Sequence, residues 1–195
     1  MRTFSDLTFP TSVRTSAAVR DGVLILAGSA LVALSSKVQL PAWPVPMTLQ
    51  PLAVMLVGMA LGARRGSLAL VAYLLEGAAG LPVFALPGAG LAYFAGPTAG
   101  YLFSFPLAAG LVGFLAERGW DRRFMTSVAA LAIGQIVILS MGCLWLSLQI
   151  GFKGALAQGF LQFLPGDVVK IVLAAMVLPG VWKLVGRRRP SPSQP

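Results

Sequence analysis

Long uncharged stretches alternate along the chain with short segments that are charged or rich in glycine and proline. The uncharged stretches predict helices over 22–36, 48–62, 67–79, 98–117, 124–148 and 165–184. About 20 apolar helical residues span the hydrocarbon core of a bilayer, so six such helices would use roughly 120 residues. The segments 37–46 and 80–97 carry prolines and glycines, which interrupt helices. The pattern therefore predicts six membrane spans joined by short connections.

The composition agrees with a membrane protein. Of the 195 residues, 57% are hydrophobic and 11% are charged, whereas a typical soluble domain is ~25% charged. Six spans leave about 75 residues for loops and tails, too few for a second domain. We predict one all-α membrane domain over 1–195, with a cytoplasmic segment at 1–20, a compact six-helix bundle at 21–184 and a basic, disordered cytoplasmic tail at 185–195.

The basic residues are distributed unevenly. The net charge of +9 would indicate nucleic acid in a soluble protein, but membrane proteins concentrate Lys and Arg in cytoplasmic loops. With the N-terminus inside, Lys37 and Lys153 lie outside and Lys170 lies within a span. The other twelve lie inside: Arg2, Arg14, Arg20, Arg64, Arg65, Arg118, Arg122, Arg123, Lys183, Arg187, Arg188 and Arg189. This predicts a multi-pass membrane protein with both termini in the cytoplasm and no nucleic-acid partner.

Several chemistries are excluded by the residues present. The sequence has no His and one Cys, Cys143, which excludes His-containing triads, imidazole metal sites and multi-Cys clusters. It has no GxxxxGKS or GxxxxGKT phosphate loop. We expect no catalytic residue, no metal and no cofactor, and residues 1–20 lack the apolar run of a cleavable signal peptide. An intramembrane enzyme is the disfavoured alternative, because the ionisable groups form no nucleophile–base pair.

Polar candidates gather at one level of the predicted bundle. The second, fourth and sixth helices begin at the outer face, and their first turns carry polar side chains. The third helix runs outward, which places Glu76 about 15 Å above its inner end. Irregular backbone at membrane depth is tolerated where it lines a cavity. We therefore predict a pocket open to the outside, with segments 37–46 and 80–97 as its lid. The candidates are Thr48, Gln50, Glu76, Tyr101, Asp167 and Lys170.

Asp167 and Lys170 are the sharpest pair. They stand at i, i+3 on one helix face, and ionisable groups within a membrane span are functional candidates by default. Lys170 and the helix N-terminus would suit a ligand carboxylate, while Asp167 could hold Lys170 or accept hydrogen bonds from ligand N–H groups. The alternative is structural: Asp167 could cap the helix and Lys170 could reach the membrane surface.

The other polar candidates carry similar alternatives. Glu76 could contact a ligand or accept backbone N–H bonds from the glycine-rich segment that follows it. Thr48 and Gln50 could bind a polar ligand or cap the second helix. Gln135, in the middle of the fifth helix, could bond between helices.

Aromatic residues and a helix of small residues complete the candidates. Tyr93, Tyr101 and Trp43 could stack on a ligand ring, although aromatic residues are also expected at membrane interfaces. The first helix is rich in small residues, which allow close helix approach in lipid. Those residues serve internal packing or the docking of a membrane partner.

Four segments in order along the chain resemble one family. They are PVPMTLQPLAV, YLLEGAAGLPVFA, GPTAGYL and FLPGDVVKIVLAA, all between residues 44 and 175. Together they resemble BioY, the biotin-specific substrate-binding (S) component of energy-coupling factor (ECF) transporters. The resemblance implies a six-helix, multi-pass protein of the bacterial cytoplasmic (inner) membrane that captures biotin from outside. It also implies a transmembrane coupling protein and two ATPases as partners.

The resemblance assigns roles to particular residues. The family's Asp-x-x-Lys falls on Asp167 and Lys170, which would contact the ligand, and its Thr-x-Gln falls on Thr48 and Gln50. Segments 80–84 and 96–101 would line the site. Some relatives use a polar or basic residue in the loop between the third and fourth helices, but residues 80–100 contain no charge and no Asn. Backbone groups, Tyr93 or Tyr101 would replace that contact.

Docking and ligand identity leave alternatives. The family class favours Ala-x-x-x-Ala in the first helix, where this chain has Ser29 and Ala33 with Ala30 beside them. These three are the candidate docking residues. The alternative function is a self-sufficient carrier, or an S component, for another small carboxylated vitamin.

Overall fold

The computed structural model describes residues 17–40, 44–85 and 88–187. Trp43, the segment 1–16 and residues 188–195 of the tail lie outside the described residues, so the predictions made for them stay predictions. Two short strands, β1 (Gln39–Leu40) and β2 (Met47–Thr48), pair antiparallel. The α-helices of the described ranges are α1 (Ala17–Ser35), α2 (Gln50–Leu61), α3 (Ala63–Ala78), α4 (Ala99–Glu117), α5 (Phe124–Ala155) and α6 (Leu164–Arg187).

The turn between α2 and α3 is shorter than predicted. The expected basic turn at 63–66 is helical, and the chain reverses at Gly62, whose φ of 85° suits glycine. The carboxylate of Glu117 accepts a hydrogen bond from the Ala63 backbone N–H at 2.8 Å. Negative charge at a helix N-terminus is favourable, so a single glycine and a side chain from α4 are sufficient to start α3.

Glycines allow α2, α3 and α4 to pack closely. A Cβ added at Gly58 would stand 2.4 Å from the backbone oxygen of Ala109, and one at Gly66 would stand 2.9 Å from the Cα of Gly58. Small residues allow such approach in membranes, where helix association depends on van der Waals packing. The resulting core includes the fully buried side chains of Tyr73 and Phe84.

The region between α5 and α6 is more helical than predicted. The sequence pattern predicts a helix end at Leu148, but α5 continues to Ala155 across a kink at Gly151, where φ is 75°. A π-helical segment, Leu156–Leu161, then leads towards α6.

Within the described ranges, three helical stretches are long and apolar enough to cross a membrane by length and composition. They are Ala17–Ser35, Ala99–Glu117 and the 57-residue stretch Phe124–Gly180, which contains α5 and much of α6. The apolar helix Gln50–Leu61 has 12 residues, or about 18 Å at 1.5 Å per residue. The chain is therefore a mainly helical membrane protein, while the count of six spans and the cytoplasmic termini stay predictions.

The end of α1 is tied to the segment that follows α3. Ser36 Oγ donates to the carbonyl of Val83 at 2.9 Å. Lys37 Nζ donates to the carbonyls of Pro82 at 2.6 Å and Phe84 at 2.9 Å. These bonds satisfy carbonyls that no helix can satisfy, and they hold the segment over one end of the bundle.

Candidate functional site

A cavity lies among α2, α4, α5 and α6, and described residues of the segments 37–46 and 80–97 also line it. The space between its lining atoms is about 530 Å³, which includes open space at the mouth. Its walls are mainly apolar and aromatic. The lining residues are Val45, Pro46, Thr48, Gln50, Pro51, Ala85, Tyr93, Thr98, Tyr101, Leu102, Phe105, Gln135, Ile138, Leu139, Phe163, Asp167 and Lys170.

Asp167 and Lys170 form an ion pair in the cavity wall. Lys170 Nζ lies 3.1 Å from Asp167 Oδ1 and donates a second hydrogen bond to the backbone carbonyl of Thr48 at 3.0 Å. The Asp167 side chain is 4% exposed and that of Lys170 is 18% exposed. The i, i+3 spacing therefore brings the two charges together as predicted. Lys170 also links α6 to the strand before α2.

Gln135 completes this polar end from α5. Its Nε2 donates to Asp167 Oδ2 at 2.5 Å, and the residue is 4% exposed. The expected bond between helices is thus formed, and its partner is a site residue. Gln135 Oε1 is buried and has no hydrogen-bond partner within the described ranges. A ligand role for Gln135 is the lesser alternative from the sequence, where a lone amide within an apolar helix is the available signal.

Thr48 and Gln50 join the cavity to a buried tyrosine. Thr48 Oγ1 donates to Gln50 Oε1 at 3.2 Å and accepts the Gln50 backbone N–H at 3.2 Å. Gln50 Nε2 donates to the Tyr73 hydroxyl at 2.6 Å, which in turn donates to the Val83 carbonyl at 3.2 Å. Thr48 thus accepts a backbone N–H at the first residue of α2, while ligand contacts of Thr48 and Gln50 stay a prediction. Nothing in the sequence selects Tyr73, because a single tyrosine in an apolar helix is common among the buried residues of a hydrophobic core.

Tyr101 packs between α5 and the π-helical segment. Its hydroxyl donates to the carbonyl of Gly159 at 2.6 Å. A Cβ at Gly142 would stand 2.1 Å from the tyrosine ring. The ring therefore fits against α5 only because residue 142 is a glycine. Tyr101 is 7% exposed and lines the cavity. This is a fixed wall position beside the polar end.

Tyr93 lies in a short 3-10 helix, Leu91–Ala95, within the segment 80–97. Its ring stacks on Phe84 with centroids 4.8 Å apart, and its hydroxyl donates to the Ala85 carbonyl at 3.0 Å. Burial raises the pKa of the Tyr93 phenol above its usual value, so the hydroxyl remains a neutral donor. Tyr93 lines the cavity, and its contacts with Phe84 and Ala85 also stabilise the segment 80–97.

Glu76 contacts α1 in this structure, and its expected ligand contact stays a prediction. The Ser29 hydroxyl of α1 donates to Glu76 Oε2 of α3. Glu76 is absent from the cavity wall. Its position in α3 points the carboxylate at α1, where a serine is available as donor. The pair ties α1 to α3.

The three candidate docking residues of α1 face different directions. Ser29 is fully buried through its bond to Glu76, so it does not lie on the exposed face. Ala33 is half-buried against the core. Ala30 is exposed, on a face that includes Leu26 and Leu34, exposed by 59% and 69%. Of the three candidates, Ala30 is therefore the one with an outward position.

The polar end of the cavity offers both donors and acceptors. Two of the three N–H groups of Lys170 bond described acceptors, and its charge is balanced by Asp167. Asp167 and Gln135 provide acceptor oxygens. The arrangement suits a compact ligand group with an oxygen acceptor and N–H donors, joined to an apolar body that contacts the remaining walls.

The comparisons with known proteins agree on one family. Residues 9–187 match the model of the BioY family. The probable biotin transporter BioY of Pyrococcus horikoshii is 37% identical over 149 residues, covering 76% of this chain and 87% of the relative. The biotin transporter BioY of Thermotoga maritima is 38% identical over 157 residues, covering 79% and 92%.

A solved structure has the same fold. The 2.1 Å crystal structure of the S-component for biotin from an ECF-type ABC transporter superposes with a TM-score of 0.76 at 26% sequence identity. The match covers 88% of this chain and 95% of that one. With the family match over most of the sequence, this shows that the chain belongs to the BioY family.

Proposed function

We propose that the chain captures biotin from outside the cell and passes it inward as the substrate-specific component of an ECF-type transporter. The observation that carries the proposal is the polar end of the cavity, where Asp167, Lys170 and Gln135 meet within an apolar enclosure. The names of the relatives and of the structural neighbour support biotin as the ligand.

The chemistry of biotin matches the cavity. Its ureido group carries two N–H donors and one carbonyl acceptor, and its thiophane ring is apolar. Acceptors on Asp167 and Gln135 suit the N–H groups, and Lys170 has donor capacity for an oxygen. Tyr101 and Phe163 supply aromatic wall for the ring. Pairing buried polar groups on both partners avoids the penalty for unsatisfied groups.

A binding assay with a vitamin panel tests the ligand. Purified protein should bind biotin more tightly than lipoate, pantothenate, riboflavin or thiamine, measured by isothermal titration calorimetry in detergent. If another vitamin of the panel binds more tightly than biotin, that vitamin is the ligand and the assignment of biotin is wrong.

The chain itself binds its ligand and does not hydrolyse ATP. Capture outside and release inside at low external concentration need an energy input that shifts the site between two orientations. We propose an ATPase module that docks through a transmembrane partner at the exposed face of α1 around Ala30. A bulky Ala30→Trp should reduce uptake and leave biotin affinity unchanged. Leu144→Trp, on an exposed position of α5, is the matched control and should affect neither.

Reconstitution separates a dependent component from a self-sufficient carrier. Liposomes with this chain alone should bind biotin without ATP-dependent accumulation, and addition of the partner module should produce accumulation. Concentrative uptake by the chain alone, driven by an ion gradient, would contradict the proposal.

The orientation of the site in the bacterial cytoplasmic membrane is testable by cysteine labelling. In a Cys143→Ala background, Lys153→Cys should react with an impermeant maleimide added outside, and Arg122→Cys should not. The reverse pattern would place the cavity mouth on the cytoplasmic side.

A further inference from the structure

The side chain of Gln135 has two polar ends with different surroundings. Nε2 donates to Asp167 Oδ2 at 2.5 Å. Oε1 is buried and without a hydrogen-bond partner in the described part of the chain. The amide cannot be reversed without placing Oε1 against a carboxylate oxygen, because an ionised carboxylate only accepts. The orientation is therefore determined by Asp167, and Oε1 is left as the uncommitted end.

An uncommitted buried carbonyl is unfavourable, since unsatisfied buried polar groups are destabilising. Gln135 stands in the cavity wall with Asp167 and Lys170, and its neighbours along α5 in that wall, Ile138 and Leu139, are apolar and offer no donor. A donor that reaches Oε1 would satisfy it, and a ligand can bring one.

We propose that Gln135 determines specificity by accepting a hydrogen bond at Oε1 from an N–H group of the ligand. The inference rests on the proposed function, under which that donor is one of the two ureido N–H groups of biotin. In the same contact, Nε2 holds Asp167 in place. Gln135 thus accepts a hydrogen bond from the ligand and also positions the carboxylate of Asp167.

The test pairs a protein variant with a ligand change. The ligands are biotin and two carba analogues, in each of which one ureido N–H is replaced by CH₂. Wild-type protein should bind one analogue more weakly than biotin by roughly 5- to 150-fold, the range expected when a buried acceptor loses its donor. Gln135→Met, which is similar in length but has no amide, should reduce that ratio to within about twofold.

Two controls separate direct recognition from a structural role. If Gln135 acts only by holding Asp167, Gln135→Met weakens biotin and both analogues by the same factor, and the unchanged ratio overturns the inference. Gln149→Met alters an exposed glutamine of α5 that does not line the cavity, and it should keep the wild-type ratio.

The remaining outcomes are also decisive. If Gln135→Met does not fold, Gln135→Asn withdraws the amide by one CH₂ and should likewise lose the preference. A wild-type protein that binds biotin and both analogues equally overturns the inference while leaving the proposed function intact. A wild-type protein that does not bind biotin rejects both.

Discussion

Two carboxylates in apolar helices, Asp167 and Glu76, have different roles in this molecule. Asp167 lies in the cavity wall, paired with Lys170 and bonded to Gln135. Glu76 lies outside that wall and accepts a hydrogen bond from Ser29. The same residue class thus serves a site at α6 and a helix–helix contact at α3.

The difference shows what a polar group within a span indicates. An ionisable group in an apolar helix must find a partner, because burial without one is costly. The partner is a protein hydroxyl for Glu76. For Asp167 it is a lysine and an amide that also line a cavity. Under the proposed function, the partners of a carboxylate distinguish a binding site from a structural contact, and substitutions at both places test this difference.

The largest effect is expected for Lys170→Ala. The change leaves Asp167 buried without its cation, and such truncations cost about 2–5 kcal/mol, or roughly 30-fold to several thousand-fold in affinity. Calorimetric Kd values for biotin should show this loss. Lys153→Ala, at an exposed position, should retain the wild-type Kd. A folded Lys170→Ala protein with wild-type affinity would reject the assigned site.

Ser29→Ala and Glu76→Ala should affect stability and leave binding unchanged. A hydrogen bond to a charged group contributes about 1.5–3 kcal/mol, so each variant should lower the Tm in detergent by several degrees. Because both remove one contact, the double variant should be little worse than either single variant. The Kd for biotin should stay within about twofold of wild type. A large rise in Kd with unchanged Tm would return Glu76 to the binding site.

Gly142→Ala should disturb the wall formed by Tyr101. The added methyl would stand 2.1 Å from the ring, and overpacking of this kind costs about 1–3 kcal/mol. The Tm in detergent should therefore fall by about 2–4 °C per kcal/mol, and the Kd for biotin should rise because the displaced ring lines the cavity. Gly154→Ala, whose Cβ would meet Ile150 at an ordinary 3.4 Å, is the matched control. Equal Kd values for the two variants would contradict the fixed position of Tyr101.

The smallest effect is expected for Tyr93→Phe. The change removes the hydroxyl bond to the Ala85 carbonyl and keeps the stacking on Phe84. A neutral hydrogen bond contributes about 0.5–1.5 kcal/mol, so biotin should dissociate roughly 2- to 13-fold faster. Radiolabelled biotin chase measures the rate. Leu91→Ala, at an exposed position of the same 3-10 helix outside the cavity wall, should leave it near the wild-type value.

The sequence by itself determined the helical class and the pairing within one helix. Apolar stretches of helical length predict helices that cross lipid, and the i, i+3 spacing alone places Asp167 and Lys170 on one face. The resemblance identified the Thr-x-Gln and Asp-x-x-Lys positions, and both line the cavity. These features are local, so they can be predicted from neighbouring residues.

Contacts between helices were decided by the tertiary structure. Rotation of α3 directs Glu76 to Ser29, and packing of α5 against α6 brings Gln135 to Asp167, across 47 and 32 residues respectively. No local rule sets these rotations, because they depend on how glycines such as Gly58 let neighbouring helices approach. A polar residue in an apolar helix indicates that a hydrogen-bonding partner exists. The packing of the whole bundle determines whether that partner is another helix or a ligand.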